Sequence, residues 1–147
     1  MKRALILVFV LALAAATIAF AGCGDGGGSS TTPEQVVEEF LAAAMEGDAG
    51  AAYALITEES KSGISDEEDL VSGFSESISG YEVGKATISG DKAMVPVSYQ
   101  FIELESGLEF NTVLVQENGA WKISIEDTNA EAQKALEEMM QELETAE

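Results

Sequence analysis

The chain has no histidine, one cysteine (Cys23) and one arginine (Arg3) in 147 residues, and each shortage excludes a class of function. Without histidine there is no Ser-His-Asp triad, no histidine-based metal site and no imidazole proton shuttle. A single cysteine forms neither an intrachain disulfide nor a zinc knuckle. Seven basic residues stand against 27 acidic ones, for a formal net charge of −20. This balance argues against nucleic-acid binding, because phosphate contacts require a basic patch.

The N-terminus carries a targeting pattern. Lys2 and Arg3 precede an apolar run from Ala4 to Ala21, in which Thr17 is the one polar residue. A positive start followed by such a run is typical of a secretory signal peptide. The run of 18 residues is also long enough to span a membrane, so the residues that follow it decide between the two interpretations.

The single cysteine directly follows two small residues, Ala21 and Gly22. This arrangement resembles the lipobox of bacterial lipoproteins, although Phe20 departs from the usual Leu, Val or Ile. The resemblance implies cleavage between Gly22 and Cys23, a diacylglyceryl group on the Cys23 thiol, and an anchor on the extracytoplasmic face of the cell membrane. Two chains or more hold a protein stably on a bilayer. A retained anchor helix with an idle cysteine and ordinary cleaved secretion are the alternatives.

The cysteine is followed by a flexible tether. Gly24 to Thr32 reads GDGGGSSTT and has no apolar side chain to bury. Cleavage before Cys23 leaves five lysines and all 27 acids, a net charge of −22. The remaining length allows one folded domain. We therefore divide the chain into a signal peptide (1–22), a lipidated cysteine with its tether (23–32), a folded domain (33–127) and a C-terminal amphipathic helix (128–147).

Helical signals dominate the first half of the folded part. Thr32 and Gln35 form a capping-box pattern before a run with apolar residues at helical spacing, and Ser65 and Glu68 repeat the capping pattern. The expected helices span Pro33 to Gly47, Ala49 to Ile56 and, after a loop from Thr57 to Gly63, Ser65 to Ile78.

The second half changes to the period of two that indicates strands. Pro96 indicates an edge or a bulge in the second strand, and Asn118-Gly119 is a strong hairpin signal. The expected strands span Tyr81 to Ser89, Ala93 to Phe101, Leu108 to Gln116 and Ala120 to Ile125.

The last segment, Thr128 to Ala146, is expected to be a helix that a Thr128–Glu131 capping box begins. Its apolar residues form a narrow seam, which either packs on its own sheet, plugs a pocket mouth, or binds a second copy or another protein. The seam residues proposed for partner contact are Leu136, Met139, Met140 and Leu143.

Helices followed by antiparallel strands predict an α+β fold, in which N-terminal helices pack on a curved sheet of four to six strands and an extra helix follows. The segments PEQVVEEFLAAAMEGD and NGAWKI, with the order of elements between them, resemble the nuclear transport factor 2-like cone fold over Pro33 to Ile125. More narrowly, the chain resembles a domain of unassigned function in bacterial lipoproteins. The superfamily includes ketosteroid isomerase and polyketide cyclases, but no position here matches their catalytic motifs.

Six aromatic residues either line a cone-shaped pocket suited to a lipid-like or aromatic ligand, or simply form core. They are Tyr53, Phe74, Tyr81, Tyr99, Phe110 and Trp121.

The acidic clusters have ordinary explanations. Asp66 to Asp69 lacks the spacing of a calcium-binding EF-hand loop, and acids at a helix start are favoured by its dipole. Glu58-Glu59 and the Glu103/Glu105 pair are paired carboxylates that are usually solvated. We therefore predict no metal and no cofactor.

The function that these features favour is a lipid-anchored, extracytoplasmic and non-catalytic binding or interaction module of the bacterial envelope. Its expected partners are the membrane and either an envelope protein, a small apolar ligand or a second copy. The alternative is a small isomerase, dehydratase or hydrolase that uses Asp or Glu with Tyr.

The anchor is tested by the variant Cys23→Ser. Loss of the thiol removes the acceptor of the diacylglyceryl group, so the variant should remain unprocessed and lose its lipid. Membrane fractionation and mass measurement of the chain report both changes. A Cys23→Ser chain that is still processed and membrane-bound would contradict the lipobox interpretation.

Overall fold

In the computed structural model the described residues are 31–103 and 107–145, without the side chain of Leu143. The predicted signal peptide, Cys23, most of the tether and Glu105 lie outside them. Among the helices in residues 31–103 and 107–145, none combines the length and the apolar character of a membrane span. The helices are α1 (Pro33–Glu46), α2 (Ala49–Ala54), α3 (Glu58–Gly63), α4 (Glu67–Val71), α5 (Phe74–Ser77) and α6 (Ile125–Thr145). The strands are β1 (Ile78–Val83), β2 (Thr87–Ser89), β3 (Lys92–Phe101), β4 (Leu108–Glu117) and β5 (Ala120–Ile123).

The start of α1 is the capping box that the sequence predicts. The Thr32 hydroxyl accepts the Gln35 N–H at 3.3 Å, and the Gln35 side chain accepts the Thr32 N–H at 3.0 Å. Two N–H groups that lack a partner within the helix are thereby satisfied. Gly47 ends α1 at a φ of +74°, a left-handed conformation in which glycine carries no steric cost.

The segment predicted as a loop, Thr57 to Gly63, is instead the short helix α3. The Thr57 side chain caps it by accepting the Ser60 N–H at 3.1 Å, and Glu58 and Glu59 occupy its first turn. Acids at this end of a helix are stabilised by its dipole. The sequence therefore contained a helix-start signal at Thr57, although no apolar stripe follows it.

The third predicted helix is two helices and the first residue of a strand. Gly73, at a φ of +76°, separates α4 from α5, and Ile78 begins β1. The N-cap of α4 is Asp66, whose carboxylate accepts the Glu68 N–H at 3.1 Å, so the predicted cap at Ser65 is wrong.

The strands form one antiparallel sheet in the order β1-β3-β4-β5, with β2 also paired to β3. The first predicted strand is therefore two strands, β1 and β2, that follow one another along the same edge of β3. The predicted α+β fold, in which helices pack on a curled antiparallel sheet and a C-terminal helix follows, is confirmed.

Pro96 indicated an edge or a bulge, and the edge is wrong, because β3 has neighbours on both sides. The pairing beside Pro96 is irregular, since residues 84–86 stand opposite residues 95–96. The Pro96 carbonyl accepts the Gly84 N–H at 2.8 Å, where β1 has ended and β2 has not begun. Since the N–H and C=O of a strand residue point to the same side, the missing N–H of Pro96 faces this break. A Cβ on Gly84 would lie 2.7 Å from Pro96 Cγ, which explains the glycine.

Helix α6 begins at Ile125, three residues before the predicted start, so Thr128 is inside the helix and does not cap it. The Thr128 hydroxyl instead accepts the Val113 N–H at 3.0 Å, and the Glu131 carboxylate accepts from the Asn111 amide at 3.0 Å. Both residues therefore attach α6 to β4, and the predicted Thr128–Glu131 capping box is wrong.

A buried hydroxyl network joins α3 to the start of α6. Ser60, which is 1% exposed, donates to the Glu126 carboxylate at 2.6 Å. The same oxygen accepts the Thr57 hydroxyl at 2.7 Å and the Ile125 N–H at 3.0 Å. A serine hydroxyl offers one donor and two acceptor positions, so this network uses its full capacity.

Replacement of Ser60 by alanine is expected to lower the free energy of unfolding by about 2 kcal/mol, because it leaves buried partners without a hydrogen bond. Urea unfolding measures this difference. Ser62→Ala is the matched control, since the Ser62 hydroxyl bonds the Glu59 carbonyl at an exposed position of the same helix. That control should stay within about 0.5 kcal/mol of the parent. Equal effects of the two variants would contradict the role of the network.

Candidate functional site

A cavity of about 270 Å³ lies between the helices, one face of the sheet and the first turns of α6. Aromatic and aliphatic side chains form most of its wall. The lining residues are Phe40, Leu70 and Phe74 from the helices, Ile78, Tyr99, Phe101, Phe110, Thr112 and Ile123 from the sheet, and Ile125, Thr128, Asn129 and Ala132 from α6.

The aromatic wall is ordered by the strand register. Tyr99 of β3 is opposite Leu108 of β4, so Phe110, two residues further on, is its diagonal neighbour on the same face. The two rings stack with their centroids 4.8 Å apart and their planes 18° from parallel. On the helical side, Phe40 and Phe74 meet edge to face at 6.5 Å. Both arrangements are favourable for aromatic pairs.

The polar groups of the cavity are three hydroxyls and one amide. Tyr99 is 5% exposed. Its burial raises the pKa of the phenol above the usual value near 10, and the hydrogen bond with the Thr112 side chain offsets only part of that effect. The phenol is therefore protonated at neutral pH and acts as a hydrogen-bond donor or acceptor. Thr112, Thr128 and Asn129 present the remaining polar atoms.

Three of the six predicted pocket aromatics, Phe74, Tyr99 and Phe110, line this cavity. Tyr53 lies on α2, where the Lys61 ammonium is 5.5 Å from its ring centroid. Trp121 belongs to a separate groove on β5, beside Thr31.

The remaining aromatic, Tyr81, pairs with Tyr99 across β1 and β3 and packs against the core without lining the cavity. The alternation of β3 already places Phe101 on the face of Tyr99, so the sequence could have identified that lining residue. The C-terminal helix was expected to pack on the sheet, to plug the pocket mouth or to bind a partner, and its first turns line the cavity as far as Ala132.

The acidic clusters lie elsewhere on the surface. The residues from Asp66 to Asp69 are exposed around the start of α4. Glu58 pairs with the Lys61 ammonium at 2.6 Å, and Glu59 and Glu103 are exposed. Within the described parts of the chain, no group of three or more acidic, cysteine or histidine residues is arranged to hold a metal ion.

The predicted partner seam continues α6 beyond the cavity. Leu136 and Met140 are 42% and 60% exposed, and Met139 is half-buried. The cavity wall ends at Ala132, and none of these three residues lines it. Leu143 belongs to α6, but its side chain is not part of the described structure.

No protein-family model and no curated protein matches this chain. Among solved structures, an NTF2-like transpeptidase from Campylobacter jejuni is similar over 63% of this chain and 97% of that one, with 19% identity and a TM-score of 0.49. An LEH-like epoxide hydrolase from M. tuberculosis is similar over 72% of this chain and 92% of that one, with 12% identity and a TM-score of 0.38. At these values the similarities assign no residue role here.

The buried phenol can be tested by titration. The difference in phenolate absorbance between the parent and Tyr99→Phe should have a midpoint above pH 10, the usual tyrosine value, because burial disfavours the charged form. Since the folded-state pKa is the higher one, Tyr99 adds stability below pH 10 that is lost as the pH rises through the folded value. In urea the midpoint should return to about 10. A native midpoint at or below 10 would show that the phenol is solvated.

Proposed function

We propose that this chain is a bacterial lipoprotein whose nuclear transport factor 2-like domain binds a small, mainly apolar ligand without transforming it. The observation that carries the proposal is the cavity, whose apolar wall is interrupted by a few convergent hydroxyl and amide groups. Ligand sites in proteins typically combine these two features.

The volume sets the size of the ligand. A dry apolar cavity of about 150 Å³ accepts benzene. The cavity of about 270 Å³ therefore suits a molecule somewhat larger, of the size of a fused two-ring aromatic or a short branched chain.

The polar groups determine which ligand chemistry is favoured. Hydroxyls and an amide donate and accept hydrogen bonds without carrying charge, so they suit a hydroxyl or carbonyl on the ligand. The net charge of −22 after cleavage disfavours an anion. An uncharged ligand with one polar end is therefore the best match.

The same groups favour binding over catalysis. Acid–base chemistry at neutral pH requires a group that gains and loses a proton there, whereas the Tyr99 phenol has a raised pKa. Three acids at the start of α6 approach the rest of the fold, and each has a partner: Glu126 is hydrogen bonded to Ser60, Glu131 to Asn111, and Asp127 pairs with the Lys92 ammonium at 3.0 Å.

The predicted anchor agrees with this ligand class. A flexible tether of nine residues has a root-mean-square reach of roughly 15–18 Å, so the domain would remain close to the bilayer. Uncharged apolar molecules partition into and out of that region, and a tethered domain there would meet them at raised concentration.

The proposal is tested with 6-fluoro-2-naphthol and the full lipidated chain in nanodiscs, by fluorine magnetic resonance. The parent should show a bound signal that empty nanodiscs lack. Ala132→Leu places a larger side chain in the cavity wall and should abolish that signal, while the helix is retained because leucine is a good helix former. Ala130→Leu, at an exposed position of the same helix, is the matched control and should bind like the parent.

The hydroxyl of the probe supplies a second comparison. Fluoronaphthalene without the hydroxyl should bind several-fold more weakly, because one net hydrogen bond is worth about 1 kcal/mol. Equal binding by Ala132→Leu and Ala130→Leu, or no binding by the parent, would contradict the proposal.

A further inference from the structure

The last turns of α6 carry an apolar face, which we define as Leu136, Met139 and Met140 and call the distal face. Exposure of 42% for Leu136 and 60% for Met140 makes them two of the four most exposed large apolar residues in the described chain. Scattered exposed apolar residues are ordinary, but neighbouring ones on a single helix face indicate an interaction surface.

The distal face continues the side of α6 that lines the cavity. Ala132, Leu136 and Met139 follow the i, i+4, i+7 spacing that puts residues on one side of a helix. Ala132 lines the cavity, whereas Leu136 and Met140 are solvent-exposed. From Ala132 to the end of α6 the helix extends about 20 Å, enough to receive a partner helix of similar length.

The rim of the distal face is acidic on both sides. At 100° per residue, Glu137 and Glu144 flank the apolar residues on one side, and Glu142 flanks them on the other. All three glutamates are exposed. Lys134 lies on the back of the helix, one turn before Glu138, and of the three rim glutamates only Glu137 is within one turn of it.

Charge decides which occupant fits. A second copy would bring three more rim glutamates against these three, and like charges along a helix pair oppose association. An anionic membrane surface is repelled for the same reason. A helix with apolar residues on one face and Lys or Arg beside them matches both the apolar residues of the distal face and its acidic rim. The two methionines of the face can adapt to varied side chains of such a partner.

We propose that the distal face binds a basic amphipathic helix of another protein. The contact consists of an apolar seam against Leu136, Met139 and Met140, with lysines or arginines of the partner against the three rim glutamates, Glu137, Glu142 and Glu144. This surface lies outside the cavity wall, so it is distinct from the ligand site proposed above.

The test uses a synthetic fluorescent peptide of about 20 residues, with leucines in a heptad seam and lysines beside them, and the full chain in phosphatidylcholine nanodiscs. A peptide of the same composition in scrambled order is the control probe. Fluorescence anisotropy should show binding of the heptad peptide, at least about tenfold tighter than that of the scrambled one, because only the first presents a continuous apolar seam. Raised salt should weaken binding of the heptad peptide, because salt screens the attraction between its lysines and the rim glutamates.

Matched variants separate local contact from total charge. Leu136→Ser with Met140→Ser should weaken binding about tenfold or more through lost apolar burial. Glu137→Gln with Glu144→Gln should also weaken it several-fold, whereas Glu38→Gln with Glu39→Gln on α1, which removes the same charge at exposed positions, should change it less than about twofold.

Four results would overturn the proposal. They are no binding, equal binding of the two peptides, equal weakening by the two glutamine pairs, and self-association of the chain that Leu136→Ser abolishes. The last would assign the face to a second copy. None of these results bears on naphthol binding, which tests the cavity separately.

Discussion

The attachment of the first turns of α6 to the rest of the fold is the constraint on which the candidate site depends. Ser60 holds the backbone of Ile125 and the carboxylate of Glu126 from one side, and Thr128 holds the Val113 N–H of β4 from the other. Buried polar groups of this kind stabilise only when they are fully paired. In the described residues no buried side-chain nitrogen or oxygen lacks a partner.

This attachment divides one helix into two parts with different environments. Ile125, Thr128, Asn129 and Ala132 close the cavity of the sheet, and the residues after them extend an apolar face with an acidic rim into solvent. The apolar side of α6 therefore forms part of the cavity wall at its beginning and an exposed face after that, because the sheet covers only the first turns of the helix. The two proposed functions, ligand binding and partner binding, would in this way be carried by neighbouring turns of the same helix.

Much of the fold could be predicted from local sequence. The capping box of α1, the alternation of β3 and the Asn118-Gly119 turn each depend on neighbouring residues, and each appears in the structure. The failures depend on distant contacts. Pro96 is tolerated inside the sheet because β1 and β2 leave a break beside it, and Thr128 bonds a strand instead of capping its own helix.

The cavity was harder to predict than the fold for the same reason. Three of the six proposed aromatics line it, but the contributions of Ala132 and Asn129 follow from where α6 crosses the sheet, which no local pattern states. Tyr53 and Trp121 are as apolar as the lining aromatics, yet they belong to other surfaces.

The most direct test of the account is amide hydrogen exchange along α6 in the full chain. The account predicts slow exchange for the amides of residues 129–132, whose turns are held against β4, and much faster exchange in the solvent-exposed turns after Leu136. Uniformly fast exchange from Ile125 to Thr145 would contradict it, because the cavity would then lack the wall that the first turns of α6 supply.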